Sequence, residues 1–258
     1  MKYAVLSFDV EEFDLPREHG EEIPLEEGVR VSSEGLEKIL EIMKKSEVKA
    51  TFFVTGNFAE KNPELVRRIV REGHEVACHG VDHFFPKESD PERSKNIVEK
   101  VARVKVFGYR VPRMQKIDYK KLKELGYEYD SSVNPAFIPG RYNHFRVSRK
   151  PFRKNGVVEI PTSVATRLRV PLFWLALHLF PLYFYLALAK ICLRETGFFA
   201  TYFHPWEFSD LSKFSSVPFY IKKNSGEKLC KRLEKVVARL KESNVEFLTY
   251  GEFCKESD

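Results

Sequence analysis

The sequence predicts a single α/β domain, a distorted (β/α) barrel of seven or eight units with an apolar helical insertion. The first observation is that short apolar runs alternate with amphipathic segments along most of the chain. Strands that alternate with helices pair in parallel through right-handed crossovers. The second is that 258 residues with 43% hydrophobic content can bury one sizeable core. We therefore expect one domain spanning residues 1–258.

The first half of the chain supplies the opening strand–helix units. The apolar, β-branched run Tyr3–Val10 predicts a buried first strand. Ser32 or Ser33 can cap the next helix, whose apolar residues recur at the spacing of one helical face. Further strands are predicted at residues 50–54, 75–78 and 105–109, and further helices at residues 62–73, 91–103 and 119–125.

The second half continues the alternation. Strands are predicted at residues 157–160, 198–203 and 246–249, and a helix at residues 227–241. The exception is the segment 170–193, which is almost wholly apolar and long enough to cross a bilayer. Pro181 interrupts this segment and His178 lies inside it.

Three interpretations of the segment 170–193 are open. We expect a pair of helices buried against the barrel. A membrane span would separate the polar residues on its two sides topologically, which conflicts with the site described below. The third is an interfacial hairpin that makes peripheral membrane contact, with Arg167, Arg169, Lys190 and Arg194 facing lipid headgroups.

The charge and cysteine pattern bounds the partners and the compartment. The formal net charge is +6, but charges of both signs interleave, which favours a solvated mixed-charge surface. We find no nucleic-acid motif and no glycine-rich phosphate loop, so we expect no nucleic-acid partner. Four scattered cysteines indicate reduced thiols, and Met1 leads directly into a strand without a signal peptide. These features favour a cytoplasmic protein, with a peripheral position at the inner membrane surface as the alternative.

The composition also resembles that of a thermophile's protein. Gln115 is the only glutamine and methionine is scarce, whereas lysine, arginine and glutamate are abundant.

Polar side chains gather at the predicted strand ends. Asp9, His79, Arg110 and His204 all fall there, and the active sites of such barrels lie at the carboxyl ends of the strands. His79 and His83 are four residues apart, so both can reach one metal ion. Two histidines and one carboxylate leave a coordination position open, the arrangement of a catalytic zinc site.

These motifs resemble, in order, those of the polysaccharide deacetylase family, also called the NodB-homology or carbohydrate esterase 4 family. The resemblance covers roughly residues 3–253, and the family fold is a distorted (β/α) barrel. The combination, with an apolar segment before the last motif, is similar to a branch associated with exopolysaccharide and membrane-linked glycan assembly. The five motifs are Ser7-Phe8-Asp9-Val10-Glu11, His79-Gly80-Val81-Asp82-His83, Arg110-Val111-Pro112, Tyr129-Asp130-Ser131-Ser132 and His204-Pro205-Trp206-Glu207.

The first motif departs from the family pattern, because Val10 replaces the second aspartate and cannot bind a metal. Side chains alternate along a strand, so Glu11 shares a face with Asp9. Glu11 is therefore the candidate ligand, and Asp14 and Glu12 remain alternatives.

The resemblance implies a metal-dependent hydrolase that removes N-acetyl groups from N-acetylhexosamine units of a glycan or glycolipid. It implies that Glu11, His79 and His83 hold Zn²⁺ or another divalent ion. It also implies three catalytic residues. Asp9 is the general base and pairs with Arg110, and protonated His204 donates its proton to the leaving amine.

Two further residues have open roles. Asp130 either orients His204 or a ligand, or caps a turn. Trp206 either forms a wall against which a sugar stacks or belongs to the core.

Two other functions remain possible from the sequence. Some related barrels hydrolyse cyclic amides such as allantoin, and a small closed pocket would favour that activity over glycan deacetylation. A barrel that binds glycans without turnover is the other, and a failure to bind metal would favour it.

Overall fold

The computed structural model describes residues 1–116, 118–138 and 142–256. Its strands are β1 (Tyr3–Val10), β2 (Thr51–Val54), β3 (Glu75–Cys78), β4 (Gly108–Tyr109), β5 (Tyr129–Asp130), β6 (Phe137–Ile138), β7 (Tyr142–Asn143), β8 (Phe152–Lys154), β9 (Val157–Glu159), β10 (Val164–Ala165), β11 (Val170–Pro171), β12 (Phe198–Phe203) and β13 (Glu246–Leu248). Its α-helices are α1 (Leu15–Glu18), α2 (Leu25–Ser46), α3 (Gly56–Lys61), α4 (Pro63–Arg71), α5 (Asp90–Ala102), α6 (Tyr119–Glu124), α7 (Trp174–Leu179), α8 (Leu182–Thr196), α9 (Phe219–Lys222), α10 (Glu227–Lys241) and α11 (Tyr250–Glu256). Short 3-10 helices lie at Pro112–Met114 and Pro205–Phe208.

The main sheet has the order β12-β1-β2-β3-β4-β5-β9-β8, and β13 pairs with the first half of β1. All its neighbours are parallel except β8 and β9. Ser163 links the far side back to β12, because its N–H donates to the carbonyl of Ala200 at 2.8 Å. The result is an incomplete, distorted barrel, which confirms the predicted fold class.

Alternation along β1 positions the site. Ala4, Leu6 and Phe8 face the helices and join the main core, whereas Val5 joins a smaller inner cluster with Phe53. Asp9 is in phase with Val5, so its side chain points into the barrel at the carboxyl end of the strand.

The predicted strands and the helix at residues 227–241 are found, with most boundaries within two residues. The predicted start of the second helix is wrong, because α2 begins at Leu25 rather than after Ser32 or Ser33. The Ser33 hydroxyl donates to the carbonyl of Val29 at 2.6 Å, a bond within the helix rather than a cap.

The apolar segment folds into β11, α7 and most of α8. Side chains from both helices join the main core, as expected for helices packed on the barrel: Ala176, Leu177, Tyr185, Leu188, Ala189, Cys192 and Leu193. Within the ranges described above, no helix has the length and apolar character needed to cross a bilayer. Arg169 donates to the carbonyls of Phe145 and Val147 rather than lying free, and interfacial contact stays a prediction.

Candidate active site

The predicted site residues meet in one cavity at the carboxyl ends of the strands. Asp9 lies within β1, whereas His79, Arg110 and His204 directly follow β3, β4 and β12. The cavity has a volume of about 330 Å³. All six residues predicted from the sequence to be catalytic or metal-ligating line it: Asp9, Glu11, His79, His83, Arg110 and His204.

Glu11, His79 and His83 form one side of the cavity, which we call the metal wall. Glu11 Oε2 lies 3.4 Å from His79 Nε2 and 3.1 Å from His83 Nε2. The three potential ligand atoms lie within 4.8 Å of one another. Glu11 Oε2 is buried and has no hydrogen-bond partner among the described residues.

Hydrogen bonds on the other ring nitrogens set the histidine tautomers of the metal wall. His79 Nδ1 lies 2.8 Å from the carbonyl oxygen of Arg110, which can only accept, so Nδ1 carries the proton. His83 Nδ1 lies 2.7 Å from Asp14 Oδ2. The Nε2 atoms of both rings face Glu11 Oε2, where each can offer a lone pair to a metal once it is deprotonated, and Asp14 orients His83.

This donor set fits a divalent metal. Two imidazole nitrogens and one unpaired carboxylate oxygen converge, and carboxylate–histidine bonds behind them resemble those that support zinc ligands. Burial alone would raise the pKa of Glu11, but the neighbouring His83 and His204 lower it to about 2. Glu11 is therefore a carboxylate, the form that binds metal.

Glu12 faces away from the cavity centre. Its carboxylate accepts from Thr55 Oγ1 at 2.8 Å and from the backbone N–H of His83 at 3.2 Å. It therefore fixes the loop that carries His83.

Arg110 is fully buried and holds Asp9. Its Nη1 donates to Asp9 Oδ1, so the two opposite charges compensate each other away from water. The other Asp9 oxygen, Oδ2, lies 3.9 Å from His79 Nε2, on the side of the metal wall. The remaining guanidinium N–H groups donate to Ser7, Ser131 and Tyr250.

Asp130 caps the turn beside Arg110. Its carboxylate accepts from the Ser132 N–H at 3.0 Å and from the Ser132 hydroxyl at 2.9 Å. The same hydroxyl accepts from the N–H of Val111 at 2.8 Å. These contacts fit the turn-capping alternative, and the carboxylate that bonds His204 is a different one.

His204 also lines the cavity, and the buried Glu207 and His178 lie behind it; we call these three residues the acid wall. Glu207 Oε1 lies 2.8 Å from His204 Nδ1 and also accepts the His204 backbone N–H. Glu207 Oε2 lies 2.8 Å from His178 Nε2. Glu207 and His178 are almost completely buried. Burial would raise the pKa of Glu207, but its bonds with His178 and His204 hold that pKa below its usual value.

Trp206 joins the two walls. Its ring stacks on that of His204, with centroids 4.9 Å apart and an angle of 16°, and its Nε1 donates to Glu11 Oε1 at 3.1 Å. Trp206 is only 4% exposed, so the core interpretation describes it better than a wall open to a sugar.

Sequence reasoning assigned no role to Glu207 and none to His178. The available signals were weak: a glutamate three residues after His204, and one histidine inside an apolar run. A buried polar side chain needs a partner, but the sequence does not identify it.

A family model described as "Polysaccharide deacetylase" matches residues 21–129. This part of the chain therefore resembles that family. The match includes His79, His83 and Arg110 but ends before the acid wall.

Curated relatives carry related names. The chain is 28% identical over 133 residues to a chitooligosaccharide deacetylase of Bradyrhizobium sp. (strain ANU 289), a match that covers 51% of this chain and 58% of the relative. It is 34% identical over 103 residues to the peptidoglycan-N-acetylmuramic acid deacetylase PdaA of Bacillus subtilis, covering 35% and 38%. The chain thus spans less than two thirds of these relatives' length.

Solved structures share the fold over nearly the whole chain. A protein from Mycobacterium smegmatis described as a polysaccharide deacetylase has a TM-score of 0.69 at 21% identity, covering 99% of this chain and 90% of that one. A carbohydrate esterase 4 family pseudoenzyme of Bacillus anthracis has a TM-score of 0.56 at 15% identity, covering 98% and 66%. Identities this low establish the fold alone.

Proposed function

We propose that the protein is a metal-dependent hydrolase that removes N-acetyl groups from N-acetylhexosamine units of a glycan or glycolipid. The observation that carries this proposal is the unpaired, buried Glu11 Oε2 between two histidine nitrogens, in a cavity that Asp9, Arg110 and His204 also line. Such a cavity offers a metal, a base and an acid. The match to the family model and the relatives' names support the choice of acetylated glycans.

Glu11, His79 and His83 would hold the divalent ion, and zinc suits two nitrogens and a carboxylate. When bound there, the ion supplies Lewis-acid polarisation of the acetamide carbonyl and activates water.

Asp9 is placed to be the general base. The Arg110 guanidinium donates to its Oδ1, which fixes the rotamer of the carboxylate. Oδ2, on the side of the metal wall, can then accept the proton of the attacking water.

His204 is placed to be the general acid. Its Nδ1 is bonded to Glu207, so Nε2 is the ring nitrogen available in the cavity to protonate the leaving amine. Burial alone would lower the pKa of His204, but Glu11 and Glu207 raise it above its usual value, which favours the protonated form.

The surroundings support an extended substrate. A second cavity of about 640 Å³ adjoins the first at Val111, which lines both. Two adjoining cavities suit an oligosaccharide better than a small cyclic amide, which needs only one closed pocket.

The test is acetate release from N-acetylglucosamine oligomers by zinc-loaded protein, with Asp9→Asn measured in parallel. Release that vanishes in the variant supports the proposal. Zinc binding without release from any acetylated glycan would overturn it and favour a cyclic amide substrate. Glycan binding without zinc binding would favour a non-catalytic glycan-binding barrel.

A further inference from the structure

We propose that His178, in the apolar segment before the last motif, is a positioning residue that fixes His204 through Glu207. The inference rests on the proposed function, since it assigns His204 the role of acid. It gives the apolar insertion a part in the active site.

The first step is the division of the Glu207 carboxylate between two histidines. Oε1 serves the Nδ1 and backbone N–H of His204, and Oε2 serves His178 Nε2. A carboxylate bonded at both oxygens has one rotamer that satisfies all its partners. In that rotamer, Glu207 accepts hydrogen bonds from both the ring and the backbone of His204. The orientation of the His204 ring therefore depends on the position of Glu207.

The second step is the tautomer of His178. Its Nδ1 is buried and has no hydrogen-bond partner among the described residues. A proton on Nδ1 would therefore be a buried donor without an acceptor. An unpaired lone pair at Nδ1 costs less free energy than such a donor. The geometry therefore places the donor proton on His178 Nε2, from which it is donated to Glu207 Oε2.

The third step is what holds His178 itself. It lies on α7, its ring meets the edge of Trp174 with centroids 5.8 Å apart, and its carbonyl accepts from Asn224 Nδ2 at 2.5 Å. Trp174 also packs edge-on against His204, with centroids 5.4 Å apart. The short helix α7 therefore contacts His204 directly through Trp174 and indirectly through His178 and Glu207.

Loss of the His178 donor would leave Glu207 Oε2 unpaired among apolar groups. A buried carboxylate oxygen without a donor is unfavourable, so the Glu207 side chain would rotate toward another donor. That rotation would break its bond with His204 Nδ1. His204 would then sample several ring orientations, and proton donation to the amine would slow, with substrate binding little changed.

The kinetic test compares two substitutions at the same position. In His178→Gln, the side-chain amide N–H can reach Glu207 in place of Nε2. His178→Leu fills similar space without a donor. With zinc-loaded protein and N-acetylglucosamine oligomers, we expect kcat to fall about 10- to 100-fold in His178→Leu with KM within about twofold, and glutamine to restore most of the loss.

The matched control is Tyr185→Phe on the neighbouring helix α8. The Tyr185 hydroxyl is also buried and donates to the carbonyl of Leu172 at 3.1 Å, but among the described residues it makes no hydrogen bond with Glu207. We expect kcat to be unchanged in this variant. If His178→Leu fails to fold, the shorter amide His178→Asn replaces it, since its N–H cannot reach Glu207.

A second readout does not depend on activity. In the ¹⁵N-labelled, zinc-loaded protein, the Nδ1–H of His204 should give a sharp, strongly downfield imidazole signal, identified by its loss in His204→Gln. The signal should persist in His178→Gln and Tyr185→Phe, and broaden or disappear in His178→Leu. Unchanged kcat and an unchanged signal in His178→Leu would overturn the inference.

The two proposals fail in different ways. If wild-type protein releases no acetate but the His204 signal still depends on His178, the proposed function is wrong and the positioning of His204 stands. If acetate is released and both His178 variants lose kcat equally while keeping the signal, the positioning role is wrong and the proposed function stands.

Discussion

The metal wall and the acid wall face the same cavity but are assembled differently. The metal wall comes from the loops after β1 and β3, and its two histidines are four residues apart. The acid wall joins the turn after β12 to α7 through a bond between residues 29 positions apart. The histidine pair of the metal wall can therefore be recognised from its spacing in the sequence. The bond between His178 and Glu207 in the acid wall depends instead on how the apolar insertion packs.

The largest expected effect is on the metal wall. His79→Ala removes one of the three proposed ligands, so we expect zinc affinity to fall by more than about 100-fold and acetate release to disappear. The matched control is His74→Ala. His74 is also a mostly buried histidine, but its ring bonds the N–H of Ala50, outside the cavity. Equal loss of zinc in both variants would contradict the assignment.

Asp9→Asn separates chemistry from metal binding. We expect turnover to fall about 10²- to 10⁴-fold, because the amide cannot accept the proton, while the zinc isotherm stays unchanged. The variant also leaves the buried Arg110 charge without its partner, so its melting temperature should be measured alongside. Loss of zinc in the folded variant would show that the base and the ligand had been exchanged.

How far the sequence could go differs between the walls. Strand alternation was enough to place Glu11 rather than Val10 beside Asp9, and strand ends placed His79 and Arg110. The partner of His204 was not accessible in that way, because Glu207 only becomes its bond partner through the 3-10 turn at Pro205–Phe208.

The early start of α2 escaped sequence reasoning for a related reason. Ser32 and Ser33 match a capping pattern locally, but the structure places them inside a helix that packs along the barrel. At α2, tertiary packing overrode the local capping signal.

Glu207→Gln tests the acid wall directly. The amide replaces one acceptor oxygen by an NH₂ group, which is a donor. This donor must face the N–H of either His178 or His204, so one hydrogen bond of the acid wall is lost. We expect kcat to fall about 10- to 100-fold. The measurement is kcat and KM on N-acetylglucosamine oligomers. A rise in KM with unchanged kcat would show that Glu207 acts in substrate binding instead.

Glu159→Gln is expected to have the smallest effect, and it lies outside both walls. Burial, together with Asp130, raises the pKa of Glu159 well above its ordinary value of 4.5. The folded protein therefore keeps a proton that the unfolded chain releases, so wild-type stability falls as pH rises above about 4.5.

The glutamine side chain at position 159 removes this proton-linked loss. Between pH 5 and 8, the melting temperature of Glu159→Gln should therefore fall less than that of the wild type. The difference should be about 2–4 °C for each kcal/mol of unfolding free energy that the variant does not lose. Calorimetry at both pH values measures the difference. Parallel changes in the two proteins would show that Glu159 carries no extra proton in the fold.

The central claim is that the two walls do separate work, and zinc-binding isotherms of wild type, Glu11→Gln and Glu207→Gln test it most directly. The account predicts at least about tenfold weaker binding in Glu11→Gln and wild-type binding in Glu207→Gln. Wild-type affinity in Glu11→Gln would move the ligand role to Asp14 or Glu12, and weakened binding in Glu207→Gln would contradict the division between the walls.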